Sequence, residues 1–312
     1  MTPTTAGTRP SGFGSRFATA DARLWATYGL APRERFIDIG HPSTRVRVAE
    51  VGGGDPVLLV HGTVGPGSWA SLIHALRPAR YLVLDRPGWG GSEALAMPGD
   101  RYRAMAADLL AGVLDALDVS RATVIGGSIG DVWALSLAER HPARVARVAL
   151  LGGGPMTPDI VPPPFIRLIA SPLGAIVTRL PVSAARTRGI LRDSGHGASL
   201  DAGRIPEAFI DWRVELTNTT PAMRNERAMT RRLLRPGGWA AGFPFTDADL
   251  GGIETPVLLV HGTADRLAAA ERWRRFVDAL PNGRLEVIEG AGHMPWFDEP
   301  ERVAALVDRF AR

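Results

Sequence analysis

The fold class can be predicted from the residues ATVIGGSIGDVWALSLAE at positions 122–139. Its first four residues are β-rich, and its last eleven have helical apolar spacing. Between them lies GGSIG, a Gly-x-Ser-x-Gly turn that is typical of a serine raised above the edge of a sheet. The turn is crowded, so the residues two positions either side of the serine must be small. The stretch predicts Ser128 as a nucleophile, and the alternative is a glycine-rich turn around an ordinary serine.

A serine hydroxyl needs a base to take its proton, and the base needs an acid to orient it. After this type of turn the acid comes before the histidine in the chain. Asp265 follows a predicted strand at 257–260, and His293 follows a predicted strand at 285–288. We therefore predict Ser128, Asp265 and His293 as the catalytic set. The alternatives are a helix N-cap for Asp265 and a structural role for His293.

The octapeptide PVLLVHGT occurs twice, at 56–63 and 256–263, and each copy predicts a buried strand that ends in a loop. Loops at the carboxyl ends of parallel strands meet at one edge of a sheet. We expect the N–H of Thr63, in the loop after the first copy, to hold an oxyanion together with the N–H of Ile129. The alternative is a plain structural connection. His61 and His261, at the strand ends, are expected to be structural.

Strand and helix patterns alternate over residues 35–151 and again over 257–310. The alternation predicts a parallel sheet with helices on both faces. Between these blocks lie helical segments with proline-rich joints and no convincing strand, which predict an inserted helical cap. The expected organisation is a flexible lead-in at 1–20, a core at 21–155 and 246–312, and the cap at 156–245.

Composition excludes several kinds of protein. The chain has 312 residues, 45% of them hydrophobic, and no cysteine, which excludes disulfides and a cysteine nucleophile. The net charge is +4, and residues 156–245 hold 12 arginines against seven acidic residues, so the whole net positive charge lies in the predicted cap. This charge, without an arginine–aromatic cluster, does not fit nucleic-acid binding. No apolar window of 18 residues occurs, so we expect no membrane span and a cytoplasmic protein.

Together these motifs resemble the α/β-hydrolase superfamily, in the serine hydrolase branch with a helical cap inserted before the penultimate strand. The resemblance covers most of the chain outside residues 1–30 and the cap. It implies an α/β fold with a mostly parallel eight-stranded sheet flanked by helices, and catalysis without a cofactor. It rests on His61-Gly62-Thr63, Asp85-Arg86-Pro87-Gly88-Trp89-Gly90, the Ser128 turn, Asp265 and Gly292-His293.

Branches of the superfamily differ at positions that can be compared. Haloalkane dehalogenases and cap-bearing epoxide hydrolases use an aspartate nucleophile, which Ser128 argues against. Proline iminopeptidases share the GGS turn, but they carry an HGGPG-type loop and acidic cap residues, unlike HGTVG at 61–65. Carbon–carbon bond hydrolases of ring-cleavage products use the same three residue types, with an arginine near a substrate carboxylate. Their turn usually continues with a glycine where this chain has Asp131, which we interpret as a first-turn acid that stabilises the helix, with an active-site role as the alternative.

Several further residues are candidates for the substrate pocket. Trp69 and Trp133 lie close in sequence to the Thr63 loop and the Ser128 turn, and we predict that they line the acyl pocket, with core packing as the alternative. The apolar residues of 165–180 are expected to pack the cap onto the core, with some facing the substrate. The arginines of 224–235 fit a solvated helix face or a substrate carboxylate. His196, in a glycine-flanked cap loop, is a candidate for a substrate contact.

The sequence thus predicts a cofactor-free serine hydrolase, with no metal, that cleaves an ester, thioester or lactone of a small to medium apolar acyl substrate through an acyl-enzyme. One alternative is a carbon–carbon bond hydrolase acting on an acidic diketone. Another is acyl transfer or cyclisation in a biosynthetic pathway, which uses the same acyl-enzyme. A catalytically silent small-molecule binder is a third, and the intact set of Ser, Asp and His argues against it. The oligomeric state stays open.

Overall fold

A single eight-stranded sheet forms the centre of the computed structural model, which describes residues 14–153, 157–162, 164–266 and 270–312. The order across the sheet is β1-β2-β4-β3-β5-β6-β9-β10, in which β2 runs antiparallel to both neighbours and all other pairs are parallel. The predicted α/β fold with a mostly parallel eight-stranded sheet is confirmed. The strands, including a small separate hairpin of β7 and β8, are β1 (Arg33–Ile39), β2 (Thr44–Val51), β3 (Pro56–Val60), β4 (Arg80–Leu84), β5 (Ala122–Gly127), β6 (Val145–Leu151), β7 (Leu234–Arg235), β8 (Gly238–Trp239), β9 (Val257–Gly262) and β10 (Gly283–Ile288).

The part of the chain that the structure describes contains fourteen α-helices. They are α1 (Ser15–Thr27), α2 (Ala70–Ala75), α3 (Tyr102–Ala116), α4 (Ile129–Arg140), α5 (Pro164–Ala170), α6 (Gly174–Val177), α7 (Ala184–Leu191), α8 (Gly197–Asp201), α9 (Glu207–Thr219), α10 (Ala222–Leu233), α11 (Asp247–Gly251), α12 (Ala270–Asp278), α13 (Pro295–Asp298) and α14 (Pro300–Phe310). The sequence predicts a helix over 268–280, and residues 268 and 269 lie outside the described residues. None of the described helices is long and apolar enough to cross a membrane.

Strand β3 shows how the sequence builds two cores. Leu58 and Val60 point to the face covered by α3 and α4, whereas Val57 and Leu59 point to the face covered by α2 and α14. All four side chains are buried, as the continuous apolar run requires for a strand covered on both faces. Burial on both faces holds β3 in the centre of the sheet. Because β3, β5, β9 and β10 run in the same direction, the loops that follow them emerge at one edge of the sheet.

The segment between β6 and β9 contains α5 to α11 and the β7–β8 hairpin, and all of these except α11 lie within the predicted cap. The sequence predicts helices here and no strand, and each hairpin strand is only two residues long, too short to give an alternating pattern. The boundaries at 156 and 245 stay a prediction.

The flexible lead-in predicted at 1–20 was wrong for residues 15–20, which form the first half of α1; residues 1–13 lie outside the described residues. Phe17 and Leu24 are fully buried between core and cap. Asp21 accepts a 2.6 Å hydrogen bond from buried Arg47 in β2 and a 2.8 Å hydrogen bond from Trp212 in α9. The helix therefore joins the sheet to the cap.

The apolar residues of 165–180 differ from their expected role. Six of them are between 42% and 60% exposed and do not pack on the core: Phe165, Leu168, Leu173, Ile176, Val177 and Leu180. The cap is attached instead through α9, where Phe209, Ile210, Trp212 and Leu216 are buried. Helical spacing in the sequence identifies an apolar face, but it does not show which of the cap helices packs on the core, and here that helix is α9.

Candidate active site

Ser128 lies in a strained turn between β5 and α4, with φ of 56° and ψ of −122°. Such a backbone conformation costs a non-glycine residue about 1–3 kcal/mol. The turn fits only because its neighbours lack side chains: a Cβ on Gly130 would lie 2.0 Å from the carbonyl oxygen of Val60, and one on Gly126 would lie 2.7 Å from Asp131 Oδ1. Ser128 is half-buried at the carboxyl edge of the sheet, where a substrate can reach it.

His293 and Asp265 form a hydrogen-bonded pair at the same edge. His293 Nδ1 lies 2.8 Å from Asp265 Oδ2, and the Asp265 side chain is only 1% exposed. They follow β10 and β9, which are adjacent parallel strands, so the loops after them meet. A ring that donates its Nδ1–H to the carboxylate keeps Nε2 as the nitrogen that can take a proton.

Two glycines after β6 bring His293 toward Ser128. A Cβ on Gly153 would lie 3.2 Å from His293 Cε1, and one on Gly152 would lie 1.7 Å from the His293 carbonyl oxygen. His293 therefore rests on the end of β6, which is the neighbour of the strand that leads into Ser128. The GGG run at 152–154 is the sequence signal that could have indicated this approach. The Ser128 hydroxyl forms no hydrogen bond with any described residue, so the serine–histidine contact is not made in this arrangement.

The loop after β3 packs directly on the serine turn, because a Cβ on Gly62 would lie 2.7 Å from Ser128 Cβ. His61 holds this loop: its Nδ1 lies 2.6 Å from the Gly62 carbonyl oxygen, and its Nε2 accepts a 3.0 Å hydrogen bond from the Arg86 N–H. Burial, aided by the charge of Arg86, keeps the pKa of His61 well below its usual range, in keeping with a structural role. Within the described ranges, neither the Thr63 N–H nor the Ile129 N–H has an acceptor.

The cap reaches over these loops from α9 and α10. Arg213 donates a 3.1 Å hydrogen bond to the Thr63 carbonyl oxygen, and its guanidinium lies 5.9 Å from the Trp89 ring. Burial lowers the pKa of Arg213 to about 10, and the nearby Glu226 opposes that fall, so the side chain stays charged at neutral pH. Glu226 is buried and accepts hydrogen bonds from Arg86 and from Trp89 Nε1. The arrangement puts a cation beside the loop that carries Thr63.

His196 does not face a substrate as the sequence suggested. It is fully buried in the turn Arg192–His196, because that turn packs against the loop that carries His293. Its Nε2 accepts a 3.2 Å hydrogen bond from the Met294 N–H, and its Nδ1 lies 2.8 Å from Asp298 Oδ2. Ser199 also donates a hydrogen bond to Asp298.

Three consecutive backbone N–H groups of the His293 loop donate hydrogen bonds that hold the loop in place. The Gly292 N–H donates to Asp298 Oδ2 at 2.8 Å, the His293 N–H donates to the Ser194 carbonyl oxygen at 2.9 Å, and the Met294 N–H donates to His196. Burial would raise the pKa of Asp298, but its hydrogen bonds outweigh burial and lower it, so the carboxylate stays charged. The cap therefore fixes the loop of the candidate base, which sequence spacing alone did not indicate.

Asp131 differs from the predicted helix-stabilising acid. It is fully buried, and its carboxyl oxygens have no hydrogen-bond partner among the described residues. Burial raises the pKa of Asp131 well above its usual range, and the Leu151 backbone opposes this only in part. A neutral carboxyl has little charge to offer the dipole of α4. Asp131 instead fills the space behind the turn, in contact with the backbone position of Gly126.

The two predicted pocket tryptophans have different surroundings. Trp133 is fully buried in the core on the α3–α4 face, where its Nε1 donates a 2.7 Å hydrogen bond to the Tyr102 hydroxyl, so core packing replaces the predicted pocket role. Trp69 is also buried, but it stacks on Trp296 with ring centroids 4.5 Å apart and lies beneath Gly127. It forms the support of the serine turn, and a pocket role for Trp69 stays a prediction.

Metal ligands are not clustered in the part of the chain that the structure describes: it contains no group of three His, Asp or Glu side chains that could hold an ion.

Comparisons with known proteins identify the family of this chain. The sequence profile of the alpha/beta hydrolase family matches residues 57–306, and the chain belongs to that family. A 2-hydroxy-6-oxononadienedioate/2-hydroxy-6-oxononatrienedioate hydrolase of Burkholderia vietnamiensis is 28% identical over 290 residues, which cover 89% of this chain and 95% of that protein. The prediction of a hydrolase is confirmed.

Two solved structures share the fold. Naproxen esterase from Bacillus subtilis superposes with a TM-score of 0.73 at 20% identity, covering 98% of this chain and all of that one. A meta-cleavage product hydrolase from Pseudomonas fluorescens gives a TM-score of 0.69 at 23% identity, covering 88% of this chain and 96% of the other. At these identities the likeness concerns the fold.

Replacing His196 with alanine tests the support of the His293 loop. The change removes one partner of Asp298 and leaves the Met294 N–H without an acceptor beside a buried cavity, so we expect a loss of about 2–4 kcal/mol in the free energy of unfolding. Urea unfolding measures this loss, and hydrogen exchange should show faster exchange at Gly292–Met294. His74→Ala, at an exposed histidine, is the matched control and should cost about 0.5 kcal/mol or less. Equal losses in both variants would contradict the supporting role.

Asp131→Asn tests the neutral buried carboxyl. Because its pKa is raised, the native protein keeps the proton at pH values where the unfolded chain has lost it. Wild-type stability should therefore fall, relative to the asparagine variant, by about 1.4 kcal/mol per pH unit above about pH 4, up to the native pKa. Urea unfolding across this range measures the slope. Asp100→Asn, at an exposed aspartate, should show no such divergence, and parallel curves for wild type and Asp131→Asn would contradict the assignment.

Proposed function

We propose that this hydrolase works through a serine acyl-enzyme and cleaves an ester, thioester or lactone of a small to medium apolar acyl substrate. The observation that carries the proposal is the strained Ser128 turn at the same sheet edge as the hydrogen-bonded Asp265–His293 pair. A serine raised on such a turn and a histidine oriented by a buried carboxylate are the parts that acyl transfer needs.

In the first half of the reaction, Ser128 Oγ attacks the substrate carbonyl carbon while His293 Nε2 takes its proton. The N–H groups of Thr63 and Ile129 hold the negative oxygen of the tetrahedral intermediate. Both groups lack an acceptor among the described residues, so they are available for this bond. Losing one such donor typically costs about 10²–10³-fold in kcat.

When the tetrahedral intermediate collapses, protonated His293 gives its proton to the leaving alcohol or thiol, and the carbon–oxygen or carbon–sulfur bond breaks to leave the acyl-enzyme. Asp265 stabilises the imidazolium across their 2.8 Å hydrogen bond. Water then attacks the acyl-enzyme with His293 as the base again, and Ser128 is released with its proton restored. No cofactor enters these steps.

Kinetics of single variants test the catalytic set. We expect Ser128→Ala and His293→Ala to lower kcat on a p-nitrophenyl ester at least about 10⁴-fold, and Asp265→Asn to lower it by a comparable factor, because each removes a part that acts only in the transition state. KM should change little. Steady-state kinetics on acyl chains of increasing length measure both constants and define the preferred acyl group.

The matched controls are Ser120→Ala and His74→Ala, which alter an exposed serine and an exposed histidine. Both should keep kcat within about twofold of wild type, as surface substitutions usually do. Ester turnover by Ser128→Ala at the wild-type rate would overturn the proposal.

A carbon–carbon bond hydrolase acting on an acidic diketone is the second candidate. The relative from Burkholderia vietnamiensis supports it through the activity in its name. Arg213 supports it independently, because its charged guanidinium lies beside Thr63 and could pair with a substrate carboxylate. The five arginines at 224–235 are a weaker source of that contact: Arg224, Arg231, Arg232 and Arg235 are exposed, and Arg227 donates to the Ser171 carbonyl oxygen.

Arg213→Gln separates the two substrate classes. If Arg213 pairs with a carboxylate, KM for an acidic diketone should rise about 10–100-fold, the usual loss for a charge-assisted hydrogen bond, while a neutral ester is unaffected. Arg224→Gln, an exposed cap arginine, is the matched control. Equal losses on both substrates would mean that Arg213 acts by positioning the Thr63 loop, which would contradict a role in carboxylate recognition.

The cytoplasmic location predicted from the sequence stays a prediction.

A further inference from the structure

The α5–α6 apolar face, formed by Phe165, Leu168, Leu173, Ile176, Val177 and Leu180, is an unusual surface for this molecule. Its side chains are 42–60% exposed. Among the described residues, only eight large hydrophobic side chains are exposed, and all eight lie between positions 161 and 190; Val161 and Ile190 are the other two. Exposed apolar side chains scattered singly need no explanation, but a contiguous group marks an interaction site.

These residues have the spacing of an apolar helix face, which is normally buried against another part of a protein. Leu173, Ile176, Val177 and Leu180 recur at intervals of three and four residues, and Phe165 and Leu168 are three apart on α5, which packs beside α6. The inner side of this segment rests on α10, where Arg227 donates a 2.9 Å hydrogen bond to the Ser171 carbonyl oxygen. The apolar side therefore points away from the rest of the protein.

The exposed charged side chains within the face and on the adjacent α10 are all arginines. Residues 160–192 contain no Asp or Glu, whereas Arg167 and Arg179 lie within the apolar stripes and are exposed. Arg224 and Arg231 of the adjacent α10 are also exposed. None of these four arginines has an acidic partner in the described ranges, and Glu226 of α10 is buried against Arg86 and Trp89. Aliphatic side chains surrounded by arginines without acidic partners are complementary to a partner whose interior is apolar and whose outer layer is negatively charged.

We propose that the α5–α6 apolar face docks on an anionic lipid bilayer, with its aliphatic side chains in the acyl boundary and its arginines at the headgroups. Each arginine near such a surface should strengthen binding about fivefold. The proposal is independent of the catalytic set, because docking needs no turnover.

Sedimentation with vesicles tests the proposal, using full-length Ser128→Ala so that catalysis plays no part. The protein should bind vesicles of phosphatidylcholine with phosphatidylglycerol at least about tenfold more tightly than vesicles of phosphatidylcholine alone, and salt should weaken the binding. Adding Ile176→Asp and Leu180→Asp should lower the partition coefficient at least about tenfold, because two buried aliphatic groups become charged. Adding Arg167→Gln and Arg179→Gln should lower binding to the anionic vesicles by about 25-fold and leave binding to vesicles of phosphatidylcholine unchanged.

The matched control is Arg274→Gln with Arg284→Gln, which changes the net charge by the same amount at exposed positions of the core. It should keep binding within about threefold, since neither arginine belongs to the α5–α6 apolar face or to α10 beside it. Circular dichroism and thermal unfolding establish that each variant is folded. The proposal is overturned if the protein does not bind anionic vesicles, or if the aspartate variant and the control bind equally. A dimer without lipid that Ile176→Asp and Leu180→Asp dissociate would also overturn it, because a second copy would then cover the face.

Discussion

The close approach of backbone segments around Ser128 is the constraint on which the rest of the active site depends. A methyl group on Gly130 would meet the Val60 carbonyl oxygen at 2.0 Å, and one on Gly152 would meet that of His293 at 1.7 Å. Gly62 is similarly close to Ser128 itself. Glycine at these places lets the ends of β3, β5 and β6 and the His293 loop meet, so that the proposed nucleophile, base and oxyanion donors lie at one edge of the sheet.

The cap holds the loops at this edge of the sheet in place through hydrogen bonds, in addition to covering them. Its hydrogen bonds reach the Thr63 loop through Arg213, the His293 loop through Ser194 and His196, and the loop after β4 through Asn225, which donates to the Gly88 carbonyl oxygen at 2.8 Å. Precise positioning is what a catalytic set needs, and hydrogen bonds from a second layer of residues provide it. The cap can therefore influence catalysis without touching the reacting atoms.

Sequence reasoning predicted the features that depend on local pattern and chain order. The alternation of strands and helices gave the sheet, and the Ser128 turn has the strand-to-helix position expected of it. Asp265 was paired with His293 from their order alone, and the structure brings the two together. The catalytic roles of all three stay predictions.

Other features depend on which surfaces pack together, and those could not be predicted from one sequence. His196 and Asp298 are 102 positions apart, and no local pattern links them. The apolar spacing of 165–180 indicated a buried face, but α9 occupies the core surface and leaves that face exposed. Asp131 was read as a charged acid because its helix position is visible in the sequence and its complete burial is not.

We propose Ser128 as the nucleophile and His293 as the base that activates it. Both roles can be measured by labelling the folded protein with a serine-directed phosphonate and locating the adduct by peptide mass spectrometry. We expect a single adduct on Ser128, formed much more slowly in His293→Ala and absent from Ser128→Ala. An adduct on another serine, or no adduct on folded protein, would show that these roles are wrong.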